Sequence, residues 1–523
     1  MANITNKRNI FFVTSPRTPF KMRDEIKLLI DNFQGKKWDK ETQTAFAEKL
    51  SESDFFEGKI EKNLDFAARD RINRSPKALG FVNLSPVVEL TSAGKQFLYG
   101  KRPEEVFLRQ LLKFQLPSPY HIDKNGKFNI KPYLELIRAT VDLGGLSKDE
   151  IAIFIMQLTN VAYYDEVKNK ILTIRDRIKN IDRRQTSYRR TIKEVYREEL
   201  TNLYRLEISE GNILTRQSGD NSLEKFIETK GKNFRDYADA AIRYLRATQL
   251  LSFEYKTNRL IHSKYKIDEI QFLLNNVDRS AKKFASEEEF KAYLFSDDTP
   301  SLLSDNVAGL ITELKNLGLA SEELKRVESL STDEIKDIRD NLLEKTKETN
   351  VNQQVQELQT YTEYEDIVKT YDDIAQGNIV DPALVLEWNT WRAFTMLDDG
   401  KIVGNFRFDL QGMPLFNAPG NKPDIECEYK KYNIIVEVTL SSGQKQYEME
   451  GEPVARHLGM HQREKNKETY CIFLTKKLSQ ATLAYFYSLH KIDIAFYGGK
   501  AKIIPVEIEV FQKLLKTAYQ SKT

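Results

Sequence analysis

The chain has 523 residues, of which 30% are charged and 40% hydrophobic, and its formal net charge is +3. That composition fits a soluble globular protein of roughly two to four domains. No apolar run approaches a membrane span, and the polar start Met1–Phe12 is no secretory signal. Two cysteines and five histidines argue against a disulfide framework or a Cys/His zinc site. They fit a reducing compartment, with the cytoplasm as the default.

Charge is unevenly placed along the chain. Lys+Arg minus Asp+Glu is +12 over residues 1–280 and −9 over 281–523, which sum to +3. A basic front half suits approach to a polyanion; chance variation between two surfaces is the plain alternative.

Residues 22–55 read as helical, with Ile26, Leu29, Ile30 and Phe33 at helical spacing. Leu64, Ala67, Ala68 and Ile72 mark one face of the next helix, with Arg69, Arg71 and Arg74 on other faces. Phe81–Thr91 gives two short β-rich pieces, and Thr91–Lys95 opens another helix. Helix, hairpin, helix over about 60–100 is winged-helix-like. The pattern recurs over about 234–275. There an amphipathic helix, Phe234–Leu251, carries Arg243 and Arg246, a hairpin turns at Thr257-Asn258, and Ile267–Leu274 is helical. From helix placement alone, Arg71, Arg74, Arg243 and Arg246 are candidate DNA contacts. Between the two units, Leu172–Arg190 reads as a single basic helix suited to phosphate. Ordinary α+β structure with solvated arginines is the alternative throughout.

Residues 281–354 are polar and helix-prone and read as a helical linker between the basic region, 1–280, and a C-terminal domain, 355–523. That last domain reads as a helix over Pro382–Phe394 followed by β-rich segments near 402–409, 424–428 and 434–440. A helix near 451–465, a strand Tyr470–Leu474, a helix Ser479–Leu489, a strand Ile492–Phe496 and a helix at 506–518 complete it. Alternating elements imply a mixed sheet flanked by helices. The expected fold class is therefore multidomain: a mostly α N-terminal half with two winged-helix-like units, a helical linker, and an α/β C-terminal domain.

The chemistry concentrates in that domain. Asp424 follows Pro423, and Glu437 stands thirteen residues on, inside the apolar run Ile434–Leu440. A charge within such a strand is costly unless something pairs it. Two carboxylates joined by a hairpin suit a divalent metal bound through oxygen. The pattern resembles the metal-binding half of a PD-(D/E)xK nuclease site. Hydrolysis of a phosphodiester needs a metal to activate water and to offset charge on the phosphate, and hard oxygen ligands select Mg2+. Thr439 stands where this class usually carries Lys. Glu450 is a further candidate ligand, and His457 or a lysine from elsewhere a candidate source of positive charge. The plain alternatives are a solvent-facing edge-strand Glu437 and a helix-surface His457. Trp388 and Trp391 read as core packing, and Cys427 and Cys471 as small core residues.

Leu386-Glu387-Trp388, Trp391-Arg392, Pro423-Asp424, Glu437-Val438-Thr439 and Glu450 through His457, in this order, resemble the AlwI-type restriction endonucleases, which include type IIS enzymes related to nicking endonucleases. The resemblance spans the chain. It implies a DNA-recognition region, a linker and a PD-(D/E)xK cutting domain that uses Mg2+ to cleave double-stranded DNA at a fixed distance from a short asymmetric site. Glu387, Asp424, Glu437 and Glu450 match the family's acidic catalytic positions, with Asp424, Glu437 and Glu450 as the metal ligands. Glu452 rivals Glu450, and His457 falls near a histidine of relatives. The resemblance further implies a cognate methyltransferase at the same site. For the second strand it implies a second copy or a small catalytic subunit, or else nicking of one strand. Two other readings stay open: a winged-helix regulator with a degenerate nuclease domain, and a repair or mobile-element nuclease directed by DNA structure. No GxxxxGK[ST] loop is present, which argues against ATP-driven translocation.

Overall fold

The computed structural model describes residues 2–53, 55–56, 63–215, 222–397 and 400–521. The chain is multidomain and helix-rich, and it divides into two units, Met1–Leu343 and Glu344–Thr523. Among the described residues no helix is long and apolar enough to cross a membrane.

In the first unit, helix α1 (Leu64–Ile72) starts at Asn63, whose side-chain oxygen accepts from the Phe66 amide at 3.2 Å. A widened turn with Pro76 (Asn73–Lys77) leads to an antiparallel hairpin, β1 (Val82–Asn83) and β2 (Glu89–Leu90). Helix α2 (Ser92–Tyr99) follows, capped by the Thr91 hydroxyl, which accepts from the Gly94 amide at 2.9 Å. Gly94 lies so close to the Phe81 carbonyl that any Cβ there would collide with it. Phe81 and Phe97 stack with ring centroids 4.2 Å apart. Helix, hairpin and helix thus pack as one piece. Next, α3 (Pro103–Lys113) starts with proline at its first position.

The run Leu172–Arg190 is not one helix. It divides between α4 (Tyr164–Ile178) and α5 (Thr186–Leu203). Asp182 breaks it, because its side chain accepts from the Arg184 amide at 2.8 Å and its carbonyl from the Gln185 amide. Short acidic side chains offer the backbone this alternative to a helix. The second repeat of the pattern comprises α6 (Leu223–Arg246), the antiparallel hairpin β3 (Leu251–Glu254) and β4 (Arg259–His262), and α7 (Ile267–Asn276). The turn depends on Asn258 at φ 57°, a left-handed conformation that asparagine tolerates. Leu146–Ser147 adds a third strand beside β4.

Residues 281–343 are helical, as the composition suggests, but they are an integral part of the first unit and not a free connector. Helix α3 anchors them. Gln110 donates to the Leu294 carbonyl at 2.7 Å, Lys113 to the Ser296 carbonyl at 2.6 Å, and Arg109 pairs with Asp305 at 2.6 Å. Lys336 and Arg339, near the start of α8 (Thr332–Gln359), both reach Glu105, at 2.7 and 2.8 Å.

The second unit is a five-stranded mixed sheet with helices on both faces. After α9 (Tyr364–Gln376) and α10 (Pro382–Leu397) come β5 (Lys401–Gly404), β6 (Ile425–Glu428), β7 (Asn433–Thr439), α11 (Gln444–Lys465), β8 (Thr469–Thr475), α12 (Gln480–Lys491), β9 (Ile503–Glu507) and α13 (Ile508–Ser521). The strand order is β9-β8-β7-β6-β5, with β7, β8 and β9 parallel and β6 antiparallel to both its neighbours. The edge strand is Ile503–Glu507 and not Ile492–Phe496, which turns instead through Gly498 and Gly499 at φ 78° and 99°.

Alternation along the strands sorts the residues by face. Ile435, Cys471 and Phe473 pack under α11 and α12 with Val454, Leu458 and Phe486. On the opposite side α10 is buried along nearly its whole length. Trp391 meets Phe406 and Phe408 edge-on, and Arg392 lies 4.5 Å over the Trp388 ring. Both tryptophans are core residues.

Candidate active site

The acid cluster is assembled from two helices and a hairpin. The register Ile425↔Val436 brings Asp424, at the head of β6, beside Glu437 on β7. One Asp424 oxygen accepts from the Val438 amide at 2.8 Å, which fixes the carboxylate against the next strand. Glu437 and Thr439 share the face of β7 that α11 covers. Glu437 Oε1 stands 2.7 Å from His457 Nδ1, and the Thr439 hydroxyl donates to Glu450 Oε1 at 2.6 Å. Glu387 comes from α10. Asn417 donates to one of its oxygens at 2.5 Å and the Ala418 amide to the other at 3.1 Å.

The electrostatics agree with this crowding. Burial holds the carboxyls of Glu387, Asp424 and Glu437 well above the ordinary range, and each is pushed further by its neighbours. The charge of Asp424 acts on Glu387, Glu437 and Glu450 act on Asp424, and Glu450 and Glu387 act on Glu437. The cation that works against this at Glu437 is Arg456. Burial lowers the proton affinity of His457, as does Arg456 beside it.

All five predicted site residues on the second unit are therefore brought together. Glu450 and Glu452 are placed differently. Glu450 is bonded to Thr439 and acts on Asp424, whereas Glu452 is exposed and pairs with Arg456 at 3.3 Å. Among the described residues no three His, Cys, Asp or Glu side chains form a ready-made metal cage. The donor set is nevertheless all carboxylate. That suits a hard cation held by one or two carboxylates, with water and phosphate in its remaining positions.

Two features were not anticipated. The loop residues Asn417 and Ala418 orient Glu387. A second acid–base ladder continues the Glu437–His457 pair along α11: His461 stands 3.2 Å from Glu426, and Lys465 2.6 Å from Glu428. Hydrogen bonding from His461 holds the Glu426 carboxyl down at about 2. His457, His461 and Lys465 recur every four residues, one helical face, and Glu426 and Glu428 every two, one sheet face. That spacing was the available signal.

The four arginines of the first unit fare differently. Arg246 is 1% exposed and reaches the Tyr255 hydroxyl at 3.2 Å, so it is a core residue and not a DNA contact. Arg243 is largely covered, pairing with Asp239 and donating to the Arg17 carbonyl at 3.0 Å. Arg71 pairs with buried Glu25 at 2.5 Å. Arg74, paired with Asp70 one helical turn back, keeps 55% of its side chain exposed.

Comparison with known proteins places the chain among the restriction endonucleases. It belongs to the AlwI restriction endonuclease family, whose model matches residues 77–514. As a member it is a site-specific DNA endonuclease. Three solved structures are similar in part. The small subunit of the heterodimeric restriction endonuclease R.BspD6I is 30% identical, covering 29% of this chain and 77% of its own, with a TM-score of 0.26. The BpuJ1 endonuclease binding domain, solved with pyrene- and phenanthrene-modified DNA, is 15% identical over 55% of this chain and 94% of its own, at 0.33. Restriction endonuclease FokI is 11% identical over 99% and 97%, at 0.25. TM-scores this low decide nothing about the fold. No curated protein matches the chain.

Proposed function

We propose that the second unit is a PD-(D/E)xK-type nuclease that uses Mg2+ to hydrolyse double-stranded DNA. In the type IIS manner, it would cut at a fixed distance from a short asymmetric sequence read by the first unit. The observation that carries this reading is the mutual crowding of Asp424, Glu437, Glu450 and Glu387. Carboxylates that raise one another's proton affinity at neutral pH form a site that a divalent cation relieves. Asp424 and Glu437 would ligate the metal, with Glu450 assisting. When bound, the metal supplies an activated water and offsets charge on the phosphate.

The chain's own residues orient these acids. His457 holds Glu437, the Val438 amide holds Asp424, and Asn417 with Ala418 holds Glu387. In the reaction one water oxygen joins phosphorus, one phosphorus–oxygen ester bond breaks, and the departing sugar oxygen leaves with a proton. The two helix–hairpin–helix pieces of the first unit support a winged-helix-like reading of DNA, with Arg74 the candidate contact that stays accessible. A single such acid cluster among the described residues supports cutting one strand per encounter, with a second copy or a small catalytic subunit for the other. A cognate methyltransferase would protect the host's own sites, and the reaction belongs in the cytoplasm.

The test is incubation of supercoiled plasmid with the protein in Mg2+ and in EDTA, followed by run-off sequencing of both strands. Breaks that need Mg2+, lie at one distance from a shared sequence and vanish in Asp424→Ala are expected. Intact plasmid with retained DNA binding would leave the regulator reading in its place.

A further inference from the structure

We propose that Arg456, on the helix that covers the acid cluster, is the cation that meets the scissile phosphate. The inference rests on the nuclease reading above and names a residue that neither motif nor family resemblance supplies. Attack on a phosphodiester builds negative charge on the phosphoryl oxygens, and a nest of carboxylates repels that charge. Some positive group must answer it beyond the metal.

Two other donors beside the cluster are engaged. The Thr439 hydroxyl donates to Glu450. Both ring nitrogens of His457 are engaged, Nδ1 with Glu437 at 2.7 Å and Nε2 with the Gly420 carbonyl at 3.2 Å. Arg456 is arranged otherwise. It lies on α11 one residue before His457, and its side chain is 30% exposed. Its Nε is steadied by Glu452, one helical turn back, at 3.3 Å. Among the described residues its two terminal nitrogens have no other hydrogen-bond partner, and they are the part of the guanidinium that can fork onto phosphate oxygens. Its neighbour in the chain, His457, stands 2.7 Å from Glu437. A guanidinium keeps its proton under all working conditions. Arg456 therefore forms and breaks no bond; it stabilises charge as the water oxygen joins phosphorus and the ester oxygen departs.

The experiment uses the full chain, with a long bacteriophage genome as substrate because short sequences of every kind recur in it. Single-turnover cleavage in Mg2+ and DNA affinity in EDTA are compared for the parent, Arg456→Ala, Arg456→Gln, Arg456→Lys and Asp424→Ala. Loss of one charge-stabilising donor costs about 10²–10³-fold in rate. A loss of that size is expected in Arg456→Ala and Arg456→Gln, with affinity within about threefold, part of the rate kept by Arg456→Lys, and added guanidinium ion restoring cleavage to Arg456→Ala. Cleavage by both neutral variants within about threefold of the parent would overturn the assignment, as would a rate loss matched by an equal loss of affinity. A parent that does not cut in Mg2+, or an Asp424→Ala variant that cuts like the parent, would overturn the nuclease reading and this proposal with it.

Discussion

His457 bridges Glu437, 2.7 Å from Nδ1, and the Gly420 carbonyl, 3.2 Å from Nε2, and so ties the central strand of the sheet to the loop that precedes Asp424. A histidine so placed would orient Glu437, one of the two carboxylates proposed to hold the metal, without itself being a ligand. Removing an orienting partner of this kind typically costs about 10–100-fold in metal affinity or activity. His457→Ala is expected to need more Mg2+ for half-maximal cleavage while binding DNA as the parent does. A Mg2+ titration of the cleavage rate checks this. An unchanged midpoint with a lower plateau would instead give His457 a direct role in the chemistry.

The acid cluster should make stability depend on pH in a stated direction. Glu387, Asp424 and Glu437 hold their protons more tightly when folded than an ordinary carboxyl does. Between the ordinary value and the raised ones the folded state binds more protons than the unfolded, so stability falls as pH rises. The contribution is complete below the ordinary carboxylate value, about 4, and is lost as pH passes through the raised values. In EDTA, the melting temperature of Asp424→Asn should gain on that of the parent as pH climbs from about 4 to about 8. Mg2+ should raise the melting temperature of the parent and not that of the variant. Calorimetry over that range, with and without Mg2+, decides; a constant gap between the two proteins would count against the cluster.

Glu450 and Glu452 lie two residues apart, and the sequence offers no means to rank them. In the fold, Glu450 faces β7 through Thr439, whereas Glu452 faces solvent with Arg456. Glu450→Gln is therefore expected to slow cleavage at least about tenfold more than Glu452→Gln, the scale of a lost ligand-shell contact. Single-turnover rates at saturating DNA give the comparison, and equal losses would dissolve the distinction.

What was legible in the sequence follows from how each signal arises. The acid inside Ile434–Leu440 stood out because an apolar strand leaves a buried charge no local excuse, and the fold gives Glu437 a partner. The hairpin of β3 and β4 was legible because Asn258 marks a left-handed turn. Residues 281–343 misled because buried ion pairs look the same as solvated charges in a composition. Asp305, Lys336 and Arg339 lie within the stretch read as a linker, yet they pair with Arg109 and Glu105 inside the first unit. The same ambiguity hid Arg246. Helical periodicity shows which face is apolar, but not that one arginine on that helix enters the core.

Arg246 and Arg74 therefore give the last and most discriminating pair of substitutions. Arg246 is 1% exposed, donates to the Tyr255 hydroxyl and lies over the Tyr255 ring at 5.8 Å. Truncating it removes a buried hydrogen bond together with the packing of a core side chain, and losses of this kind typically cost about 0.5–3 kcal/mol. Among the described residues Arg74 makes a half-exposed ion pair with Asp70, worth about 0–1 kcal/mol. Arg246→Ala should lower the midpoint of urea unfolding and, at temperatures where it stays folded, bind DNA with the parent's salt dependence. Arg74→Ala should unfold with the parent. If its side chain meets a phosphate, its binding should weaken and the slope of affinity against salt should fall by about one ion. Urea melts and salt titrations of DNA binding on the two variants separate these outcomes. A stable Arg246→Ala that loses DNA affinity would return Arg246 to the DNA-binding surface and put its burial in the core in error.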